Sequence, residues 1–208
     1  VLTGQENMRI DSDLLDSAIE NKLDYPIFRL YAWKPACVSL GRNQKDDFLD
    51  RSFLKENNID VVRRLTGGRA LLHADEITYS FICPTLYLKN GEHVVSSYKE
   101  ISRILIGKFK TIGIDLDFGS NKPIKTGFDY CMLISTGADL CYHGKKLIGS
   151  AQCRKLGYIL QHGSILYDYD KALLEKIFKE PVSTDEITSI KELNPKLTKE
   201  KIIDIVSV

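Results

Sequence analysis

Three strand-like runs follow one another late in the chain, over residues 140–143, 147–153 and 158–167, with Gly144 and Gly157 standing between them. Glycine between short apolar runs is what a tight reversal of the backbone needs, and successive reversals impose antiparallel pairing. Such a sheet must bury at least one face, and segments with helical periodicity supply the cover. Residues 7–21 carry Met8, Ile10, Leu14, Leu15, Ala18 and Ile19 on one stripe. Residues 96–111 do the same with Tyr98, Ile101, Ile104, Leu105 and Phe109, and Gly113 stands where that helix stops. Further helices are expected over 46–56, 170–178 and 184–193. The spacing predicts one α+β domain over residues 1–208, a mixed or antiparallel sheet flanked by helices. At 208 residues the chain can build one well-filled core.

In the first half, 27–33 and 37–40 read as strands around a turn at Lys34 and Pro35, and Val61 and Val62 lead into a glycine loop. Beyond it, 70–72 and 77–83 are short β-rich runs expected to pair, with Pro84 ending the second. Residues 114–118 resume the sheet and 119–126 form a loop.

Lys and Arg total 29 against 28 for Asp and Glu, so no global basic field favours nucleic acid, and any charged partner must be met by a local patch. No apolar run approaches membrane-spanning length, which leaves the cytoplasm as the default; what precedes Val1 stays open. Five widely spaced cysteines, at 37, 83, 131, 141 and 153, include no Cys-x-x-Cys pair, so reduced thiols are expected rather than a disulfide framework. Cys141, His143 and Cys153 lack the paired short spacing of structural zinc sites, and no metal is expected.

The glycine loop runs Arg63, Arg64, Leu65, Thr66, Gly67, Gly68, Arg69, Ala70, Leu71, Leu72, His73. Paired glycines let backbone N–H groups approach a ligand, and arginine forks match carboxylate or phosphate oxygens, so the loop reads as an anion-binding wall. Arg63 and Arg64 should face opposite sides, one of them an exterior salt-bridge residue. A second region holds Cys131, the run Gly144, Lys145, Lys146, Leu147, Ile148, Gly149, Ser150, Ala151, Gln152, and then Gln161, His162, Gly163, Ser164. Small residues Gly149 and Ala151 leave room beside a strand for a thin apolar chain. Strand alternation sends one of Lys145 and Lys146 inward and the other to water.

Together these three ordered motifs resemble the catalytic domain of the biotin/lipoate protein ligase family, lipoate ligases and the octanoyltransferases similar to them, over nearly the whole chain. The resemblance implies a sheet enclosing a narrow acyl tunnel. It also implies work on an octanoyl or lipoyl group destined for a protein lysine. The residues implied in substrate binding are Arg63, Arg64, Gly67, Gly68, His73, Gly149, Ser150, Ala151, Gln152, His162 and Gly163. Ligases of the family activate a free acid with ATP, whereas the cysteine-dependent octanoyltransferases hold the acyl group on a thiol. Cys131 precedes Lys146 by the interval seen in the latter. The resemblance therefore implies Cys131 as nucleophile and Lys146 as the lysine beside the thioester carbonyl. Residues 132–138 depart from the aromatic, proline-containing stretch of those enzymes.

The leading expectation is transfer of an octanoyl group from acyl carrier protein, through a Cys131 thioester, to a lipoyl-accepting protein, either a glycine cleavage H protein or a 2-oxoacid dehydrogenase lipoyl domain. No tightly bound cofactor is then required. Thiolate attack on a thioester returns a thioester of similar energy without ATP. An ordinary lysine is protonated at neutral pH, so Lys146 serves as an electrostatic stabiliser as it stands and as a base only if desolvation lowers its pKa. The alternatives are an ATP-dependent lipoate ligase using Mg2+ and free lipoate, an amidotransferase moving lipoyl or octanoyl groups between proteins, and a non-catalytic homologue that binds acylated proteins. The chain as given lacks length for the extra C-terminal domain of many ligases, which favours transfer.

Overall fold

A computed structural model describes residues 1–119, 130–133, 137–179 and 181–207. In chain order the elements are α1 (Gly4–Glu20), β1 (Ile27–Tyr31), β2 (Cys37–Leu40), α2 (Arg51–Glu56), β3 (Asp60–Arg63), β4 (Leu71–His73), β5 (Glu76–Pro84), α3 (Val94–Lys110), β6 (Asp117–Phe118), β7 (Leu140–Tyr142), β8 (Lys145–Lys155), β9 (Tyr158–Leu166), α4 (Lys171–Phe178), α5 (Ile190–Leu193) and α6 (Lys199–Val206). The fold is the expected α+β class, with β7, β8 and β9 as the antiparallel succession read from Gly144 and Gly157. Both glycines adopt positive φ, the conformation their turns require.

There are two sheets among the described residues. Six strands run in the order β1-β5-β9-β8-β7-β6, and three in the order β3-β2-β4. The expected pairing of 70–72 with 77–83 does not form: β4 pairs with β2, while β5 lies between β1 and β9. Only Ala74 and Asp75 separate β4 from β5, and the chain changes sheets there, so one strand serves each layer. Likewise β1 and β2, expected around one turn, belong to different sheets.

One face of the large sheet packs Ile77, Tyr79, Leu147, Ile148 and Ile165 against Leu105 and Phe109 of α3 and Ile202 and Val206 of α6. The other face meets α1 through Leu15, Ala18, Ile82 and Leu160. α6 escaped the sequence reading, although Thr198 caps it by accepting from Lys201 N–H. α2 is shorter than the 46–56 expected because Asp50 caps it, accepting from Phe53 N–H. The helix expected over 184–193 is confined to Ile190–Leu193. A reciprocal capping box between Ser189 and Glu192 starts it late, and the preceding Ile187 forms a parallel bridge with Lys146. The 119–126 loop lies outside the described residues apart from Gly119.

Candidate active site

A cavity lies between the two sheets, walled by β4, β5, β8, β9 and the glycine loop. Its floor is one cross-strand row, Gly149 opposite Ser164, Ser164 opposite Thr78, and Thr78 opposite Tyr31. Four strands at ordinary spacing give that row a length of about 14 Å. Cys131, Met132 and Gly149 stand at one end and Tyr31 and Trp33 at the other. The indole of Trp33 stacks on His73 with ring centroids 4.0 Å apart and donates to Thr78 Oγ1 at 2.8 Å, so it closes the far end. A second, open cavity at the mouth is lined by Gly67, Gly68, Arg69, Tyr98, Cys131, Asp139, Lys146, Ser150 and Gln152.

At the junction of the two cavities Lys146 Nζ lies 3.9 Å from Cys131 Sγ and donates to the Cys131 carbonyl at 3.0 Å. Asp139 Oδ2 is 3.1 Å from the same ammonium. Lys146 is 1% exposed and Asp139 3%. Burial alone would lower the lysine pKa, but Cys131 and Asp139 beside it outweigh burial and hold it above its ordinary value. Lys146 is therefore a fixed cation in the resting site and not a base. Lys145 points away and, half-buried, donates to the Thr184 carbonyl at the surface, which fits the expected division of the pair.

Strict alternation would put Lys146 on the α3 face with Ile148. A register shift in the β7–β8 pairing, opposite Leu140 and Cys141, prevents this. Leu147 and Ile148 both enter the apolar cluster under α3. The extra residue reverses parity upstream, so Lys146 shares the cavity face with Gly149. A Cβ on Gly149 would stand 2.9 Å from Lys146 Cε and 3.0 Å from Met132 Sδ, so that glycine leaves the space the lysine stem occupies. At Gly163 the constraint is on the opposite face, where a Cβ would meet Ser150 Oγ and Tyr79 Cε1 at 2.6 Å each.

The structure brings Arg64, Gly68, His73, Gly149, Ser150, Ala151, His162 and Gly163 to the inner cavity with Cys131. Gly67 and Gln152 join Lys146 at the mouth. Two expectations change. Arg63 lines neither cavity and makes no exterior salt bridge among the described residues; its guanidinium braces the neighbouring turn by donating to the carbonyls of Gly41 and Gln44, each at 2.7 Å. Arg64 is buried, and all five of its N–H donors are taken: Nε by Thr66, one terminal nitrogen by the Ser39 carbonyl and hydroxyl, the other by the carbonyls of Gly67 and Arg69. It shapes the glycine loop and has no fork left for a substrate anion. His73 is pushed below the ordinary histidine pKa by burial, against the effect of Glu76 beside it, so it lines the cavity as a neutral ring.

Two site residues were not anticipated. Asp139 is the counterion of Lys146, and the need of any inward lysine for a buried carboxylate was the signal that pointed to it. Arg69 half-emerges at the mouth, lining both cavities, with no partner for its guanidinium among the described residues. Of the four other cysteines, Cys37, Cys83 and Cys141 are buried and Cys153 is half-buried, and all are free thiols. Among the described residues no set of three or more His, Cys, Asp or Glu side chains is placed to hold a metal ion. No helix there is long and apolar enough to cross a membrane.

Residues 3–207 match the family described as the lipoyl protein ligase A/B catalytic domain. The chain is similar to the octanoyltransferase LipM of Geobacillus kaustophilus, 37% identical over 183 residues that cover 84% of this chain and 66% of the relative. It is similar also to that of Carboxydothermus hydrogenoformans, 38% identical over 178 residues, covering 85% and 66%. The chain thus spans 66% of the length of these curated relatives. Among solved structures, a lipoate-protein ligase A bound with ATP superposes with a TM-score of 0.77 at 20% identity, covering 99% of this chain and 80% of that one. A putative lipoate protein ligase from T. acidophilum with bound lipoic acid gives 0.73 at 20% identity, covering 94% and 76%. At that identity the likeness speaks for the fold.

Proposed function

The chain belongs to the lipoyl protein ligase A/B catalytic domain family, and from that premise we propose that it is an octanoyltransferase of lipoate biosynthesis working through a Cys131 thioester. The observation that carries this reading is the 3.9 Å approach of Cys131 Sγ to the buried Lys146 ammonium, at the mouth of an apolar cavity. The curated relatives named octanoyltransferase LipM support it.

In the first half-reaction the Cys131 thiolate attacks the carbonyl of an octanoyl thioester carried by acyl carrier protein, and the carrier sulfur leaves as a thiol, taking its proton from Lys146. The Lys146 ammonium faces the developing oxyanion, and one well-aimed donor of this kind is worth about 3 to 4 kcal/mol of barrier. In the second, the amine of a lysine on a lipoyl-accepting protein attacks the acyl-enzyme, Cys131 leaves as thiolate, and the amine gives up a proton. Cys131 is the largest influence raising the Lys146 pKa. Acylation removes that negative charge, so the lysine becomes more acidic once the thioester has formed. Lys146 thus stabilises the oxyanion first, gives its proton to the departing carrier sulfur, and as a neutral amine takes up the acceptor's proton second. Neither half-reaction consumes ATP.

The test is intact-mass measurement after incubation with octanoyl carrier protein and no ATP. A hydroxylamine-labile octanoyl adduct that disappears in Cys131→Ala is the expected result. Lipoate-dependent pyrophosphate exchange from ATP, with no adduct on Cys131, would assign the chain to the ligases instead.

A further inference from the structure

Deep to the acyl cavity, a chain of buried hydrogen bonds connects the first helix to the glycine loop. Asp11 of α1 is 1% exposed, and its carboxylate gathers four groups. Oδ1 accepts from Arg29 at 2.7 Å and Ser80 Oγ at 3.1 Å; Oδ2 accepts from Tyr31 Oη at 2.7 Å and faces His162 Nδ1 at 3.3 Å. On its other side His162 Nε2 is 2.8 Å from Thr66 Oγ1, and Thr66 Oγ1 accepts from Arg64 Nε at 3.3 Å. Arg64 then holds the carbonyls of Gly67 and Arg69 at 3.1 and 3.0 Å.

Donor and acceptor chemistry fixes the direction of this chain. A guanidinium only donates and a carboxylate only accepts. Facing the Asp11 carboxylate, a neutral His162 ring carries its proton on Nδ1, which leaves Nε2 as an acceptor. Thr66 therefore turns its single hydroxyl proton to His162 while its lone pair receives Arg64. Every bond runs one way, from Arg64 through Thr66 and His162 to Asp11.

We propose that Asp11 is a positioning residue for acyl transfer, which locks His162 in the Nδ1–H tautomer and, through Thr66 and Arg64, holds the glycine loop in place beside Cys131. None of Asp11, Thr66 or Arg64 needs to touch the reacting atoms. Gly68 and Arg69 line both cavities together with Cys131, so a shift of the loop changes the walls around the thioester.

Asp11→Asn tests this without changing shape. Arg29 can only donate, so the amide oxygen turns to Arg29 and the amide N–H2 is left facing His162 Nδ1. The ring must then move its proton to Nε2, and Thr66 loses its acceptor. The expected results are a switch of the His162 tautomer in 15N spectra of histidine-labelled protein and a fall of roughly tenfold to a hundredfold in the rate of Cys131 acylation, with the KM for the acyl donor little changed. Ser80→Ala removes another donor to the same carboxylate, off the path to the loop, and is expected to keep both the tautomer and the rate. Should Asp11→Asn fail to fold, Thr66→Val interrupts the chain at its middle and is expected to slow acylation with the Nδ1–H tautomer retained.

An Nε2–H tautomer in the unaltered protein, or a tautomer switch in Asp11→Asn with unchanged acylation, would overturn the proposal. The rate readout rests on the acyl-transfer reading. Absence of any adduct on the unaltered protein sinks that reading, while the tautomer measurement still decides whether Asp11 orients His162.

Discussion

Gly149→Ala adds one methyl group at the point where Lys146 crosses β8. The new Cβ would lie 2.9 Å from Lys146 Cε, 3.0 Å from Met132 Sδ and 3.3 Å from Lys146 Nζ. Carbon atoms settle at about 3.5 to 4.0 Å, so the lysine stem has to retreat by roughly 0.6 to 1.1 Å. Gly149 is not in the left-handed region of backbone space, so the substitution tests room and nothing else. If the retreat carries the ammonium from 3.9 Å to about 4.7 Å from Cys131 Sγ, the Coulomb interaction at an effective dielectric near 20 weakens by about 0.7 kcal/mol, close to threefold in rate. Loss of alignment adds to that, and a displacement near 1 Å costs up to about a hundredfold.

The expected fall in Cys131 acylation by Gly149→Ala is therefore between about threefold and a hundredfold. It is read by quenched-flow intact mass, with a thermal melt alongside because overpacking a filled site costs about 1 to 3 kcal/mol of stability. A variant that melts near the unaltered protein and acylates within twofold of it would refute the reasoning. Lys146 would then not need its present position.

Trp33→Ala removes the ring that closes the far end of the cavity, and competition between acyl donors, read by mass, is expected to shift in favour of chains longer than octanoyl. Burial alone would raise the Asp11 pKa, but its bonds to His162, Tyr31 and Arg29 hold it below the ordinary aspartate value. The unfolded chain then takes up the proton first, so this stability is full above the unfolded pKa of about 4 and is lost as pH falls through the folded value. The acid limb of the melting temperature against pH should flatten in Asp11→Asn. Gly107 is an exposed residue inside α3 with nothing within 4 Å of an added Cβ. Gly107→Ala is expected to stabilise the fold by about 0.5 to 1 kcal/mol, seen as a rise of a few degrees in a thermal melt, without altering acylation.

What could be read from the sequence follows the distance over which each feature is determined. The hairpin succession β7-β8-β9 depends on Gly144 and Gly157, which act on their immediate neighbours, and it formed as expected. The split into two sheets depends on which partner β4 and β5 find. β2 and β1 are over thirty residues upstream of them, and nothing local distinguishes pairing with each other from pairing with those strands. The same limit applies to Arg64. Its charge and its glycine neighbours suggested an anion ligand, yet the acceptors that occupy it include Ser39, from a strand that only the three-stranded sheet brings alongside.

Lys146 shows how a correct conclusion can rest on an incomplete cause. Alternation rightly separated it from Lys145, but carried forward along β8 it would have left the lysine on the α3 face and Gly149 on the other. The bulge at Leu147 and Ile148 brings them together, and it arises because both side chains are apolar and both find space under α3. A strand with two adjacent inward apolar residues must break its alternation, and the residue before the break changes face. The position of the active-site cation is thereby coupled to packing on the far side of the sheet. Leu147→Thr, whose β-branched side chain suits a strand while its hydroxyl disfavours burial beneath α3, is expected to slow Cys131 acylation although residue 147 lines neither cavity. If the variant remains folded and acylates at the unaltered rate, the bulge does not depend on that packing.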